Sequence, residues 1–177
     1  MRRREKGYTL IELIVAVSIM VLVSGAASIA IFQISKGTEA NNTHMNAVRQ
    51  VQNAGYWICR DARMAQSIDT DNLTLPVFLV FNWTEWDDEN EKIYHSANYS
   101  FEGLTDGIGK LKRTHRSSAG ANEETLIATY IYYAPTDPDD TTKADYQAPV
   151  LTLQLTSVVE DTKEIREYRI KNRPNVY

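Results

Sequence analysis

In the stretch "KGYTLIELIVAVSIMVLV" a single carboxylate, Glu12, stands at the leading edge of twenty uncharged residues, Leu13 to Phe32. A charge inside a hydrocarbon layer costs roughly 2.5–3.5 kcal/mol on insertion scales. Glu12 therefore needs a physical reason to be there.

Other candidate groups are less organised in the sequence. His44, His95 and His115 read as isolated from one another, in no zinc-site or H-E-x-x-H frame. Cys59 is the only cysteine, so no disulfide closes within one chain. No G-x-S-x-G elbow anchors a nucleophile, and no enzymatic activity is expected. The acidic runs "DDENE" (87–91) and "DPDD" (137–140) offer oxygen ligands for calcium but lack the EF-hand pattern, so they read as solvated loops; no metal or cofactor is expected. "KLKRTHR" (110–116) alternates as a strand does, and its basic residues read as protection of a sheet edge rather than as a phosphate contact.

The apolar run is long enough to span a membrane, since about 20 helical residues cover a hydrocarbon core of ~30 Å. Ahead of it, "MRRREKG" has four basic residues and one acid, and basic flanks stay cytoplasmic. Taking this +3 from the chain's net −4 leaves −7 for residues 8–177, a field that does not attract nucleic acid. An uncleaved signal anchor fits these features but leaves Glu12 unexplained. A cleaved secretory signal has small residues available in "SGAAS" (24–28), although Glu12 is foreign to an apolar h-region.

Gly7, Tyr8 and Glu12 taken together resemble the class III signal of type IV pilins and pseudopilins, with tyrosine where phenylalanine is usual. The resemblance is close over residues 1–35 and architectural beyond. It implies cleavage between Gly7 and Tyr8 by a prepilin peptidase/N-methyltransferase, N-methylation of Tyr8, and retention of the apolar helix. It further implies that Glu12 pairs with the terminal amine of a neighbouring subunit, while Leu10, Ile11, Leu13, Ile14, Val17 and Val21 pack in a filament core. The implied partners are other pilins or pseudopilins, an inner-membrane assembly platform and, through it, a cytoplasmic ATPase. This chain has no G-x-x-x-x-G-K-[ST] loop of its own. A membrane proline and a C-terminal disulfide loop, frequent in abundant pilins, are absent, which points to a minor subunit. The alternative is a single-pass membrane-anchored binding module or adhesin that does not polymerise.

The expected fold class is α+β, a long N-terminal helix packed on a C-terminal antiparallel sheet. Residues 1–7 form a leader, 8–34 a transmembrane and assembly helix, 35–68 an amphipathic helix and 69–177 a sheet domain. Val48, Val51, Gly55, Ile58, Ala62 and Ala65 recur at helical spacing and mark the buried face. "KGTEANNT" (36–43) is a weak join, helical or hinged, with Gly25 and Gly37 as compliant points or as ordinary tolerated glycines. After Leu73 the period shortens, and six β-branched and aromatic segments alternate with turns such as "TDGIG" and "PTDPDD". Trp83 is expected in the core and Trp86 on a contact surface.

Overall fold

A computed structural model describes residues 9–71, 73–120 and 122–172. The chain divides into two units, residues 1–42 and 43–177. Helix α1 (Leu10–Met64) spans 55 residues and contributes to both.

Within the first unit the described chain is helix alone. Its side chains are leucine, isoleucine, valine, alanine and methionine for the most part, several of them strong helix formers, and none is buried. Two hydroxyls in this apolar segment are satisfied locally: Ser18 Oγ donates to the Ile14 carbonyl at 2.8 Å and Ser28 Oγ to that of Ser24 at 2.9 Å. A polar group treated in this way can enter a hydrocarbon layer without an outside partner. Residues 37–43 are helical in spite of their composition.

In the second unit the last turns of α1 lie on an antiparallel sheet, giving the α+β class. Ala47, Val51, Ala54, Gly55, Ile58 and Ala62 are buried at three- and four-residue spacing, whereas Val48 is half-buried. The strands are β1 (Ser67–Asp69), β2 (Val77–Trp86), β3 (Lys92–Thr105), β4 (Ile108–Ser117), β5 (Glu123–Tyr132), β6 (Lys143–Gln147), β7 (Val150–Val159) and β8 (Thr162–Lys171). They are ordered β1-β2-β3-β4-β5-β7-β6, with β8 paired to β7. Alternation sends Leu79, Phe81 and Trp83 of β2, Ala97, Tyr99 and Phe101 of β3, and Leu151, Leu153 and Leu155 of β7 into one core with the helix.

Three local features explain how the pieces fit. Asp106 and Gly107 both have positive φ, 51° and 79°, the twisted two-residue turn that matches the twist of the β3–β4 hairpin. A Cβ on Gly55 would lie 2.3 Å from the Tyr168 ring, so only glycine lets β8 approach the helix here; the Tyr168 hydroxyl donates to the Val51 carbonyl at 3.1 Å. Strands β5 and β7 share one bridge, Ile131 with Ser157, and two helix side chains serve the exposed part of β5. Asn53 Nδ2 donates to the Ile127 carbonyl at 2.6 Å, and the Thr129 amide donates to Gln50 Oε1 at 2.8 Å. The helix thus covers a strand edge that would otherwise offer free backbone groups.

Two sequence expectations are overturned. The basic stretch 110–116 is not an edge strand, for β4 is flanked by β3 and β5. Two of its charges have partners instead: Lys112 Nζ meets Glu124 Oε2 at 2.5 Å, and Arg113 is buried against Asp61. His95 and His115 are not isolated, because the β3–β4 register brings His95 Nδ1 within 3.2 Å of His115 Nε2. Strands β1 and β6 went unrecognised, since "SID" is short and "KADYQ" is polar and at most half-buried.

Candidate processing and assembly site

Of the residues singled out in the sequence, Gly7 and Tyr8 lie outside the described residues. The description starts at Thr9, which is the helix N-cap: its carbonyl accepts the first helical bond, from the Leu13 amide at 3.3 Å. Glu12 Oε2 accepts the Thr9 amide and the Thr9 hydroxyl, each at 2.9 Å, and the Glu12 amide reaches back to Thr9 Oγ1 at 3.4 Å. This is a capping box, T-x-x-E, in which two orphan amides of the first turn are satisfied reciprocally. The pattern is legible in "TLIE", and Thr9 is the functional neighbour that the sequence reading passed over.

The carboxylate still faces outward. Leu10, Ile11, Leu13, Ile14, Val17 and Val21 are all exposed, none covered by the chain. Beside Glu12 the helix surface is apolar, formed by Ile11, Val15, Ala16 and Ile19. Chemically this is one anion on an apolar, unpartnered helix surface. It can hold a cation delivered from outside, and the low dielectric around it would make the attraction strong.

The second unit holds two further polar clusters. Asp61, fully buried on the helix face toward the sheet, accepts Arg113 Nε at 2.7 Å, Arg113 Nη2 at 3.1 Å and the Tyr99 hydroxyl at 2.5 Å. Burial, with the Asp61 charge and hydrogen bond, raises the Tyr99 hydroxyl well above the ordinary tyrosine range. The second cluster stacks Trp83 on His95 and His115, with ring centroids 5.2 and 5.5 Å away. Glu85 closes it, accepting Trp83 Nε1 at 3.0 Å and lying 3.6 Å from His95 Nε2. Among the described residues no three histidine, cysteine or acidic side chains are grouped to hold a metal ion. Trp83 is in the core as expected, and Trp86 is 60% exposed.

A family model for the prokaryotic N-terminal methylation motif matches residues 2–28. No curated protein and no solved structure matches the chain. The N-terminal segment thus carries a prokaryotic N-terminal methylation motif, which is consistent with a class III signal of the type IV pilin-like kind and supports a type IV pilin-like protein. The motif implies processing by a prepilin peptidase and assembly with other pilins. The helix from Leu10 is long and apolar enough to cross a membrane, which is consistent with anchoring there.

Proposed function

We propose that this chain is a minor pilin or pseudopilin, a structural subunit of a type IV pilus or of a type II secretion or competence pseudopilus. It is cut between Gly7 and Tyr8, methylated at the new terminus, and held as a single-pass inner-membrane protein with its sheet domain outside the cytoplasm. Assembly moves the apolar helix from lipid into a filament core, where Glu12 receives the terminal amine of a neighbour. The work is polymerisation rather than catalysis, driven through an assembly platform by a separate cytoplasmic ATPase.

The observation that carries this reading is the methylation motif over residues 2–28, leading into a helix whose apolar side chains have no cover. Lipid covers them in an anchor, and sister helices cover them in a filament. In a filament the terminal amine of a neighbour supplies a cation at the depth of Glu12.

One observation favours a second reading, a membrane-anchored binding module that never polymerises: Glu12 already has a partner in Thr9. The N-terminal peptide mass of protein made alongside a prepilin peptidase tests the choice. A peptide starting at Tyr8 with one added methyl group supports the filament subunit, and one starting at Met1 leaves the plain anchor.

A further inference from the structure

One face of the second unit has no role in anchoring or assembly as described above. Cα partners in adjacent strands lie on the same side of a sheet. Asn82 is opposite Ser96, Thr84 opposite Tyr94, and Ser96 opposite Arg116, all one residue out of step with the core side chains Trp83, Ala97 and Tyr99. They form the outer face of β2–β4, away from the helix. An open cavity of about 1360 Å³ lies against them, walled at one side by the chain from Met64 to Ser67.

Two large rings stand in this cavity. Trp86 is 60% and Tyr94 61% exposed, and as diagonal neighbours on β2 and β3 they are within reach of one ligand. Trp86 is fixed from one side by Lys92, whose ammonium lies 5.0 Å from the ring centroid. Around the rings, hydroxyl, amide and guanidinium groups line the cavity together with Met64, Trp83, Glu85 and His95. Several of these groups are already positioned: Asn82 Nδ2 donates to Ser67 Oγ at 3.4 Å, and Ser118 Oγ accepts the Tyr94 amide at 3.0 Å.

Exposed aromatic faces among closely spaced donors and acceptors suit a ligand with both a C–H face and a hydroxyl edge. A pyranose ring has both: its axial hydrogens meet the electron-rich face of an indole or phenol, and its hydroxyls bond the amides around it. A purely apolar partner would leave the lining polar groups without water or bonds. A polyanion is disfavoured by charge, because Lys92 and Arg116 are offset by Glu85 and by Asp87, Asp88, Glu89 and Glu91 on the β2–β3 turn.

We propose that this cavity binds an uncharged polysaccharide, with Trp86 and Tyr94 stacking on sugar rings and Arg116, Asn82 and Ser96 bonding hydroxyl groups. The site lies wholly within the second unit.

Electrophoresis of the full-length chain through gels containing neutral glucan, mannan or galactan tests the proposal, in a zwitterionic detergent without a sugar headgroup. At least one polymer is expected to retard the protein. Trp86→Ala and Tyr94→Ala, both surface changes, should each weaken that retardation about tenfold, the value of one good aromatic contact. Tyr56→Ala, an exposed ring on the helix outside the cavity, should leave it unchanged. Mobility unaffected by all three polymers overturns the proposal, as does retardation that survives both substitutions. Salt-sensitive binding of single-stranded DNA lost in Arg116→Ala would reassign the cavity to nucleic acid. Loss of chemical cross-linking between copies in the two ring variants, with no polymer effect, would reassign it to a second copy of the chain.

Discussion

Asp61 Oδ2 lies 2.7 Å from Arg113 Nε, and both side chains are closed to solvent, at 0% and 4% exposure. The pair joins the helix to the middle of the sheet. Arg113 also lies against the Trp57 ring, at 5.2 Å from its centroid, so its guanidinium is enclosed on two sides by helix residues. A pair of this kind fixes the rotation of the helix about its axis, because a slip of one residue would turn Asp61 by about 100° away from Arg113 and leave the guanidinium buried without its partner.

Removing one member leaves the other as an uncompensated buried charge. Asp61→Ala should therefore destabilise the second unit by about 3–5 kcal/mol, while Asp61→Leu combined with Arg113→Met should recover most of that loss. Urea unfolding of the full chain in detergent, followed by tryptophan fluorescence, measures both. A loss below about 1 kcal/mol for Asp61→Ala would mean that the pair is hydrated and contributes as a surface bridge does.

The stacked histidines predict a pH dependence. Burial holds His115 below its ordinary value of 6.5; Arg113 and His95 push the same way, and Asp61 and Glu123 oppose them. The folded state then binds fewer protons than the unfolded chain as pH falls through about 6.5, so folding stability declines on acidification and is fully present above that value. The urea midpoint should fall between about pH 7.5 and pH 5.5, and His115→Gln should flatten the change. Trp83 fluorescence reports the same protonation, since its ring stacks on both imidazoles. A midpoint that rises on acidification, or an unaltered slope in His115→Gln, would show that other groups control this window.

Both clusters were hidden in the sequence for the same reason, which is the distance along the chain between their members. Asp61 meets Tyr99 and Arg113, 38 and 52 residues away, and between Arg60 and Arg63 it looks like part of a solvated face. Its spacing from Ile58 and Ala65 did place it on the apolar stripe, and a lone acid there is a usable sign of a buried partner. His95 and His115 depend on register. Counting back from the Asp106–Gly107 turn puts His95 opposite Ser118, but an irregularity at Gly103, with φ of 63°, shifts its partner to Ser117. By contrast, "GYTLIEL" is read directly because its meaning is local: seven adjacent residues state the motif without any fold. The buried helix face and the main strands were legible through their periods of 3.6 and 2, which need no knowledge of partners.

The three helix glycines should part company on substitution. Gly25 and Gly37 have open space where a Cβ would go, so alanine at either should raise helix stability by about 1 kcal/mol. Gly55→Ala forces the Tyr168 ring to move and breaks its bond to the Val51 carbonyl, with a net cost of about 1–3 kcal/mol from overpacking. Tyr168→Ala in the Gly55→Ala background relieves the clash, so the double variant should lose less than the two single losses added together. Additive losses in thermal denaturation would mean that the two residues do not press on each other.

The proposed filament role would ask Glu12 to serve two partners in succession, with opposite demands. In the lone subunit it closes the capping box with Thr9, so its charge is shared with two donors of its own chain. In a filament it would have to turn toward the amine of another subunit, which replaces a neutral donor by a charged one and is the stronger bond. Thr9→Val removes the hydroxyl and keeps the amide, loosening the first turn while leaving the carboxylate in place. It should increase hydrogen exchange at the amides of Ile11 and Glu12, with filament incorporation retained. Glu12→Ala should leave cleavage at Gly7 intact but abolish incorporation, and Glu12→Gln should do the same if charge rather than hydrogen bonding is what the neighbour needs. Filaments of normal yield from Glu12→Ala would assign Glu12 to helix capping alone, and the uncovered helix would then be an anchor.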